Sequence, residues 1–335
     1  MNNIEEKISS LFGLGKISKF PGTLGSFVSL TTSLIVYFFL GKIFYSIFFV
    51  VFLGITFYSI YFFQKKNLKK GNEPHDFSWI VIDEWLGMWL ANFFLFELNL
   101  NSYQIIIFSF ISFCIFRILD ILKFIPPIGS INKEKKQTAG PIILDDLVAG
   151  SYTYILMLLF LQWIGLYEAY TLRFFYSLLL LLASGMIANM VPVLVRMRFW
   201  NASINEHLFG KNKTWRGFLS AILFGSLSYY FISQTGAWGA PSPLKQALAI
   251  GFLFSFGAIL GDLVESYIKR KKGIPPGEAW IPWDQIDFVI GIIILTYPIY
   301  FYGMKEIIPM LLIGGFLSTL AHRFSYLVRL INTKQ

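Results

Sequence analysis

The sequence predicts an all-α, polytopic integral membrane protein with about ten transmembrane helices in two five-helix modules and both termini in the cytoplasm. Of its 335 residues, 56% are hydrophobic and only 14% are charged, and the mean hydropathy is +0.61. A water-soluble protein cannot bury so large an apolar fraction, and runs long enough to cross a bilayer recur along the chain. The net charge of +9 is explained by basic loops on one side of a membrane, so it does not indicate nucleic-acid binding.

Ten apolar runs are the basis of this prediction. They lie at roughly 24–40, 43–63, 80–96, 104–118 and 142–164, and then at roughly 174–195, 217–233, 245–265, 288–303 and 307–323. With a cytoplasmic N-terminus, ten spans put every Lys and Arg in cytoplasmic segments except Lys42, Arg173, Lys245 and Lys305. Because cytoplasmic loops are enriched in Lys and Arg, this distribution favours ten spans and a site on the cytoplasmic face.

The polar loop at 163–175 divides the chain into predicted domains at 1–168 and 169–335. The polar motifs of the two halves differ in residue type and spacing, which favours two unlike modules over an inverted-repeat transporter. The single Cys114 lies in an apolar run, so no disulfide framework is expected. No cleavable signal precedes the first apolar run, which begins near Leu24.

Three acidic clusters lie at the membrane edge of the first half. Their members are Asp83, Glu84, Asp120, Asp145 and Asp146. Acids within apolar sequence are costly and usually have a partner or a function. Arg117 and Lys123 could pair with them, but so many carboxylates on one face favour a bound Mg²⁺, which takes oxygen ligands.

Four ordered segments of this half resemble phosphatidylglycerophosphatase A. They are GLGKISKFPGTLGS, HDFSWIVIDEWLGMW, FRILDILKFIPPI and GPIILDDLVAG, within about residues 10–165. The resemblance implies Mg²⁺-dependent dephosphorylation of phosphatidylglycerol phosphate. It implies that all five acids are metal ligands or acid–base groups, and that Thr23 and Lys123 contact phosphate. Lys123 is followed by Phe-Ile-Pro, where the family usually has Pro-aromatic-Pro, so its placement differs from the family pattern.

In the second half, carboxylates flank a cationic segment. An apolar run ends at Asp262, four basic residues follow at 269–272, and apolar sequence resumes through Asp284, Gln285 and Asp287. This order suits a Mg²⁺-nucleotide, because carboxylates hold the metal while Lys and Arg neutralise phosphates. A basic cytoplasmic loop with helix-capping acids is the alternative.

A second basic loop, HLFGKNKTWRGF, contains Lys213, Trp215 and Arg216. It lacks the glycine spacing and the preceding strand of a P-loop, so we reject that assignment. Trp215 could stack on a base, although anchoring at the membrane interface is the better interpretation.

The segments KNKTWRG, GDLVESYIKRKKG and PWDQIDFVIG resemble the CDP-archaeol synthase family, relatives of the bacterial CDP-diacylglycerol synthases, over about residues 180–330. The resemblance implies that a lipid phosphate oxygen attacks the α-phosphorus of CTP and that pyrophosphate leaves. It implies that Asp262, Asp284 and Asp287 hold Mg²⁺, with Asp287 also catalytic. The residues that would contact the nucleotide or lipid phosphates are Asn189, Lys213, Arg216, Lys269, Arg270 and Gln285.

The sequence therefore predicts a fused enzyme of phospholipid synthesis in the cytoplasmic membrane. Its expected substrates are CTP, phosphatidic or archaetidic acid, and phosphatidylglycerol phosphate. A homodimer and association with a headgroup-transferring phosphatidyltransferase are left open as partners. The alternatives are one active half with the other as scaffold, or a lipid transporter.

Overall fold

The computed structural model describes residues 4–69, 77–122, 139–167, 172–194, 202–235, 242–275, 278, 280 and 282–327. Within these ranges the protein is all-α, and an isolated bridge between Ser203 and Thr214 is the β-type contact found there. The chain divides into two compact units, which we call unit 1 (residues 1–168) and unit 2 (residues 169–335).

Within the described ranges, unit 1 has one very long helix, three further helices, a 3₁₀ helix and two short helical turns. These are α1 (Ile4–Ser9), α2 (Leu14–Ile17), α3 (Pro21–Lys69), α4 (Ile82–Ala91), the 3₁₀ helix Asn92–Glu97, α5 (Ser102–Leu122) and α6 (Ala139–Trp163). Helix α3 is broken at Gly41, whose φ of 73° lies in the left-handed region that glycine adopts without steric cost. Both arms of α3 contact Trp85, because Ser29 Oγ donates to its carbonyl at 2.6 Å and the ring of Phe52 lies 4.4 Å from its ring. The chain therefore folds back at Gly41.

The third predicted span, 80–96, is a composite of α4 and the 3₁₀ helix. These elements have 10 and 6 residues and together rise about 27 Å, close to the roughly 30 Å of a bilayer core. They run alongside the first arm of α3. At one end Gly22 approaches Glu84, and at the other the ring of Tyr37 lies 4.8 Å from that of Phe96. The segment thus accompanies that arm along most of its length.

Within the described ranges, unit 2 has five long helices and one short one. These are α7 (Leu172–Leu194), α8 (Glu206–Phe209), α9 (Trp215–Ser233), α10 (Leu244–Lys271), α11 (Trp283–Tyr300) and α12 (Met304–Leu327). Its core is formed by fully buried side chains such as Leu182, Phe254, Phe288, Ile292 and Met310. Helices α10 and α11 approach most closely where Gly257 meets the backbone of Gly291.

Six helices of the described ranges are long and apolar enough to cross a membrane. They are Pro21–Asn67, Ser102–Leu122, Ala139–Trp163, Phe174–Pro192, Leu244–Lys271 and Met304–Ala321. The chain is therefore a membrane protein. The count of ten spans remains a prediction, because α3 counts as one helix but folds into two arms, and α4, α9 and α11 are not among these six. The cytoplasmic location of both termini also remains a prediction.

Candidate active sites

Three carboxylates of unit 1 converge at one place, which we call cluster 1. Asp83, Glu84 and Asp146 each offer an oxygen, and these oxygens all lie within 4.8 Å of one another. Asp83 and Glu84 open helix α4, whereas Asp146 comes from α6. Asp83 and Asp146 are buried, and Asp146 Oδ1 has no hydrogen-bond partner among the described residues.

Cluster 1 forms because α4 and α6 touch through glycines. Gly87 follows Asp83 by four residues, and Gly150 follows Asp146 by four, so each glycine lies one turn beyond its acid on the same helix face. A Cβ on Gly150 would collide with the Gly87 carbonyl, and a Cβ on Gly87 would lie 2.5 Å from the Asp146 carbonyl oxygen. Small residues four apart allow such close approach of helix backbones within a membrane.

A cationic group borders cluster 1. Arg117 Nη1 on α5 lies 2.5 Å from Asp120 Oδ2 and donates to Ser26 Oγ at 3.3 Å. A Cβ on Gly22 would lie 3.1 Å from Arg117 Nη2 and would collide with Glu84 Oε1. The first turn of α3 therefore faces both Arg117 and cluster 1. The N–H groups of a helix N-terminus together with a guanidinium suit a phosphate.

The other predicted residues of unit 1 surround cluster 1. Asp120 and Asp145 are buried outside the group of three, yet close enough for their charges to act on Asp146. Asp145 directly precedes Asp146 on α6 but is not a member of the group. Thr23 is half-buried on the first turn of α3. Lys123 lies outside the described residues.

In unit 2, a second group of three acids converges, which we call cluster 2. It consists of Asp262, Glu265 and Asp287, whose oxygens also lie within 4.8 Å of one another. Asp262 and Glu265 are three residues apart on α10 and so share a helix face, while Asp287 lies near the start of α11. A Cβ on Gly261 would collide with the Asp287 carbonyl, so a glycine again permits the approach of the two helices.

Two lysines neutralise cluster 2. Lys213 Nζ lies 2.6 Å and 2.5 Å from the two Asp262 oxygens. Lys269 Nζ lies 3.4 Å from Glu265 Oε1 and 3.0 Å from Asp284 Oδ1. Burial alone would lower the pKa of Lys213, but the charge and hydrogen bonds of Asp262, with the charges of Asp287 and Glu265, raise this pKa above its usual value. Lys213 is therefore cationic.

Cluster 2 differs from the predicted metal site in one member. Asp284 was expected as a ligand, but its carboxylate accepts hydrogen bonds from Lys269 and, at 2.8 Å, from the backbone N–H of Trp280. It thereby ties the start of α11 to the end of α10. Glu265 takes its place in the group and is absent from the predicted set. The spacing Asp262-x-x-Glu265 was the signal for it, because acids three apart on a helix share a face.

The remaining predicted residues of unit 2 are placed as follows. Arg270 Nη1 donates to the Ile274 carbonyl and so caps the end of α10. Arg216 is half-buried on the first turn of α9, Asn189 is half-buried on α7, and Gln285 is buried on α11. Their contacts with a nucleotide or lipid remain predictions.

Family models match both halves of the chain. Residues 7–161 match the model of phosphatidylglycerophosphatase A. Residues 170–334 match the model of CDP-archaeol synthase. No solved structure gives a significant match.

Curated proteins similar to this chain carry the name of the family model that matches residues 170–334. The CDP-archaeol synthase of Thermococcus kodakarensis is 37% identical, and the match covers 42% of this chain and 84% of that protein. The CDP-archaeol synthase of Staphylothermus marinus is 39% identical over 40% of this chain and 74% of that protein. For the CDP-archaeol synthase of Methanospirillum hungatei, the identity is 35% over 37% of this chain and 76% of that protein. The predicted fusion is confirmed: the chain belongs to the CDP-archaeol synthase family through its C-terminal half, which follows a phosphatidylglycerophosphatase A domain.

Proposed function

We propose that the chain is a bifunctional, Mg²⁺-dependent enzyme of phospholipid synthesis. Unit 2 transfers a cytidylyl group from CTP to a lipid phosphate and yields a CDP-activated lipid and pyrophosphate. Unit 1 hydrolyses the phosphomonoester of phosphatidylglycerol phosphate and releases inorganic phosphate. The observation that carries the proposal is that each family domain has its own cluster of three acids beside a cation.

Both clusters fit a divalent cation of the Mg²⁺ type. All six donors are carboxylate oxygens, the hard ligands that Mg²⁺ prefers. In unit 1, Asp83, Glu84 and Asp146 would hold it, and in unit 2, Asp262, Glu265 and Asp287. A bound Mg²⁺ would neutralise charge that develops on phosphate oxygens and orient the phosphate.

In unit 2, the chemistry depends mostly on positioning and charge. Lys213 lies at Asp262 of cluster 2, and Arg216 follows it on the first turn of α9; we assign both cations to the triphosphate. Lys269 pairs with Glu265 and Asp284, so it orients these two carboxylates and neutralises their charge. An attacking lipid phosphate is already an anion and requires no general base.

In unit 1, hydrolysis requires a water molecule and a proton acceptor. Asp146 Oδ1 is a buried carboxylate oxygen without a hydrogen-bond partner among the described residues, so it can accept the proton of an attacking water. Arg117 and the N-terminus of α3 would hold the phosphate in place. This arrangement supports hydrolysis of a phosphomonoester.

The lipid tails are assigned from the relatives. All three relatives described above are named CDP-archaeol synthase, which favours archaetidic acid over phosphatidic acid as the substrate of unit 2. We assign both sites to the cytoplasmic face of the cytoplasmic membrane, because basic residues concentrate in the loops adjacent to the helices that carry the acids.

The test uses the purified full-length protein in detergent micelles. CTP, Mg²⁺ and either archaetidic or phosphatidic acid are supplied to measure transfer, and phosphatidylglycerol phosphate is supplied to measure phosphate release. Asp287→Asn should abolish transfer and keep phosphate release, while Asp146→Asn should do the reverse. If the unmodified protein lacks one activity, the unit to which that activity is assigned is a scaffold. Absence of both activities would refute the proposal.

A further inference from the structure

Lys213 lies where the three charges of cluster 2 act together. Its Nζ contacts both oxygens of Asp262, at 2.6 Å and 2.5 Å, and the charges of Asp287 and Glu265 also act on it. Asp287 Oδ1 accepts from the backbone N–H of Phe288 at 2.6 Å, and Glu265 has Lys269 beside it. Lys213 is thus a cation from outside the helices of cluster 2 that contacts Asp262 and interacts electrostatically with the other two acids.

A divalent cation held by cluster 2 takes at least one Asp262 oxygen, and the Lys213 ammonium contacts both. Each carboxylate oxygen has two lone pairs, and the ammonium engages one on each oxygen. Two cations at one carboxylate also repel each other strongly in a half-buried site. The Lys213 ammonium and the metal therefore compete.

The backbone around Lys213 is fixed while its side chain is long. The Lys213 carbonyl accepts from the N–H of Ile204 at 2.8 Å, and the following Thr214 caps α9 through the Gly217 N–H at 3.2 Å. The four-carbon stem can move the ammonium by several ångströms without moving this backbone. The Lys213 side chain is 26% exposed, so its ammonium can turn from Asp262 toward solvent.

Resting on the proposed function, we propose that Lys213 is an exchangeable counterion: a divalent cation that binds Asp262 displaces the Lys213 ammonium, which then becomes a phosphate ligand. Metal binding and recognition of the anionic substrate are coupled through this one side chain. Lys213 becomes available to phosphate only after the metal has bound. This order disfavours binding of a nucleotide that arrives without its metal.

The first experiment measures the reactivity of the lysine itself. Full-length protein in detergent is acetylated with and without Mg²⁺, and mass spectrometry follows Lys211 and Lys213 in the same peptide. Lys211 is exposed on the same loop and serves as the internal control. An ammonium paired with a carboxylate is a poor nucleophile, so we expect Mg²⁺ to raise the rate at Lys213 about fivefold and the rate at Lys211 less than twofold. An unchanged or slower rate at Lys213 in Mg²⁺ overturns the proposal.

The second experiment measures Mn²⁺ affinity by electron paramagnetic resonance without nucleotide. An Asp146→Asn background removes one member of cluster 1, so that binding reports on cluster 2. Lys213→Met should bind Mn²⁺ about tenfold more tightly than its parent, because the competitor is gone. Lys211→Met removes the same charge two residues away and should change the affinity less than twofold.

The outcomes separate this proposal from the function on which it rests. Equal or weaker Mn²⁺ binding by Lys213→Met would show that Lys213 supports Asp262 and does not compete, even though the metal site exists. If Lys213→Met fails to fold, Lys213→Gln keeps a donor to Asp262 without the charge and is judged by the same criterion. Absence of Mn²⁺ binding in the Asp146→Asn parent would remove the metal from the proposed function of unit 2 and overturn this proposal with it.

Discussion

Arg117 and Asp120 form an ion pair on one face of helix α5, with Nη1 and Oδ2 2.5 Å apart. The same guanidinium donates to Ser26 Oγ at 3.3 Å and faces Gly22, so one side chain joins α5 to the first turn of α3. Family resemblance directed attention to the acids, and Arg117 was considered only as their partner. Its position beside the α3 N-terminus makes it a phosphate ligand in our proposed mechanism.

Arg117→Met should lower phosphate release by about 100-fold, because the phosphate loses a charged, bidentate donor. Arg117→Lys should recover part of this loss, mainly in KM, since an ammonium restores the charge but not the fork of donors. Steady-state phosphate release measures both variants, and cytidylyl transfer by the same preparations shows that the protein is folded. The exposed Lys65 supplies a matched control through Lys65→Met. Equal activity of the Arg117→Met and Lys65→Met proteins would contradict the phosphate-binding role.

Gly150→Ala should separate α4 from α6 and disrupt cluster 1. The new methyl group would meet the backbone of Gly87, which cannot move aside as a side chain can. We expect a destabilisation of about 2 kcal/mol and a loss of phosphate release, measured by thermal unfolding in detergent and by assay. Gly140→Ala on the same helix is the control, because nothing lies within 4 Å of its Cβ position. If both alanines behave alike, close backbone contact is not what builds cluster 1.

Glu265→Gln should weaken Mn²⁺ binding to unit 2 more than Asp284→Asn does. Glu265 belongs to cluster 2, whereas Asp284 is held by Lys269 and the Trp280 N–H. Loss of an outer-shell partner typically costs about 10- to 100-fold in metal affinity, so we expect a loss of at most this size from Asp284→Asn and a larger one from Glu265→Gln. Mn²⁺ titrations of both variants in the Asp146→Asn background decide between them. A larger effect of Asp284→Asn would restore the ligand set predicted from the sequence.

The attachment of α1 should depend on pH through Glu5. A hydrogen bond from Lys66 Nζ at 2.7 Å lowers the pKa of Glu5 below its usual 4.5. A lowered carboxyl pKa contributes stability above the usual value, and that contribution is lost as the pH falls through the lowered one. The protection factor of the α1 amides, which corrects exchange for its intrinsic pH dependence, should therefore fall below about pH 4.5, and Glu5→Gln should lower it at pH 7 as well. Lys7→Gln, elsewhere on α1, is the control. A pH-independent protection factor in the unmodified protein would count against the pair.

The positions of the long helices were largely predictable, because bilayer-spanning runs are defined by composition. The composite of α4 and the 3₁₀ helix was not, since hydropathy does not distinguish one helical geometry from another. Asp83, Glu84 and Asp146 were all expected in unit 1, and the structure brings them together. The spacing Asp262-x-x-Glu265 indicated Glu265, but the position of Asp284 outside the group was not predictable, because it depends on where Lys269 directs its ammonium. A sequence motif contains both acids but does not indicate that only one of them joins cluster 2.

Every member of cluster 1 comes from residues 1–168, and every member of cluster 2 from residues 169–335. Among the described residues, neither group takes a member from the other unit, so the peptide link adds nothing to the composition of either one. What the link does fix is stoichiometry: each completed chain contains one copy of unit 1 and one copy of unit 2.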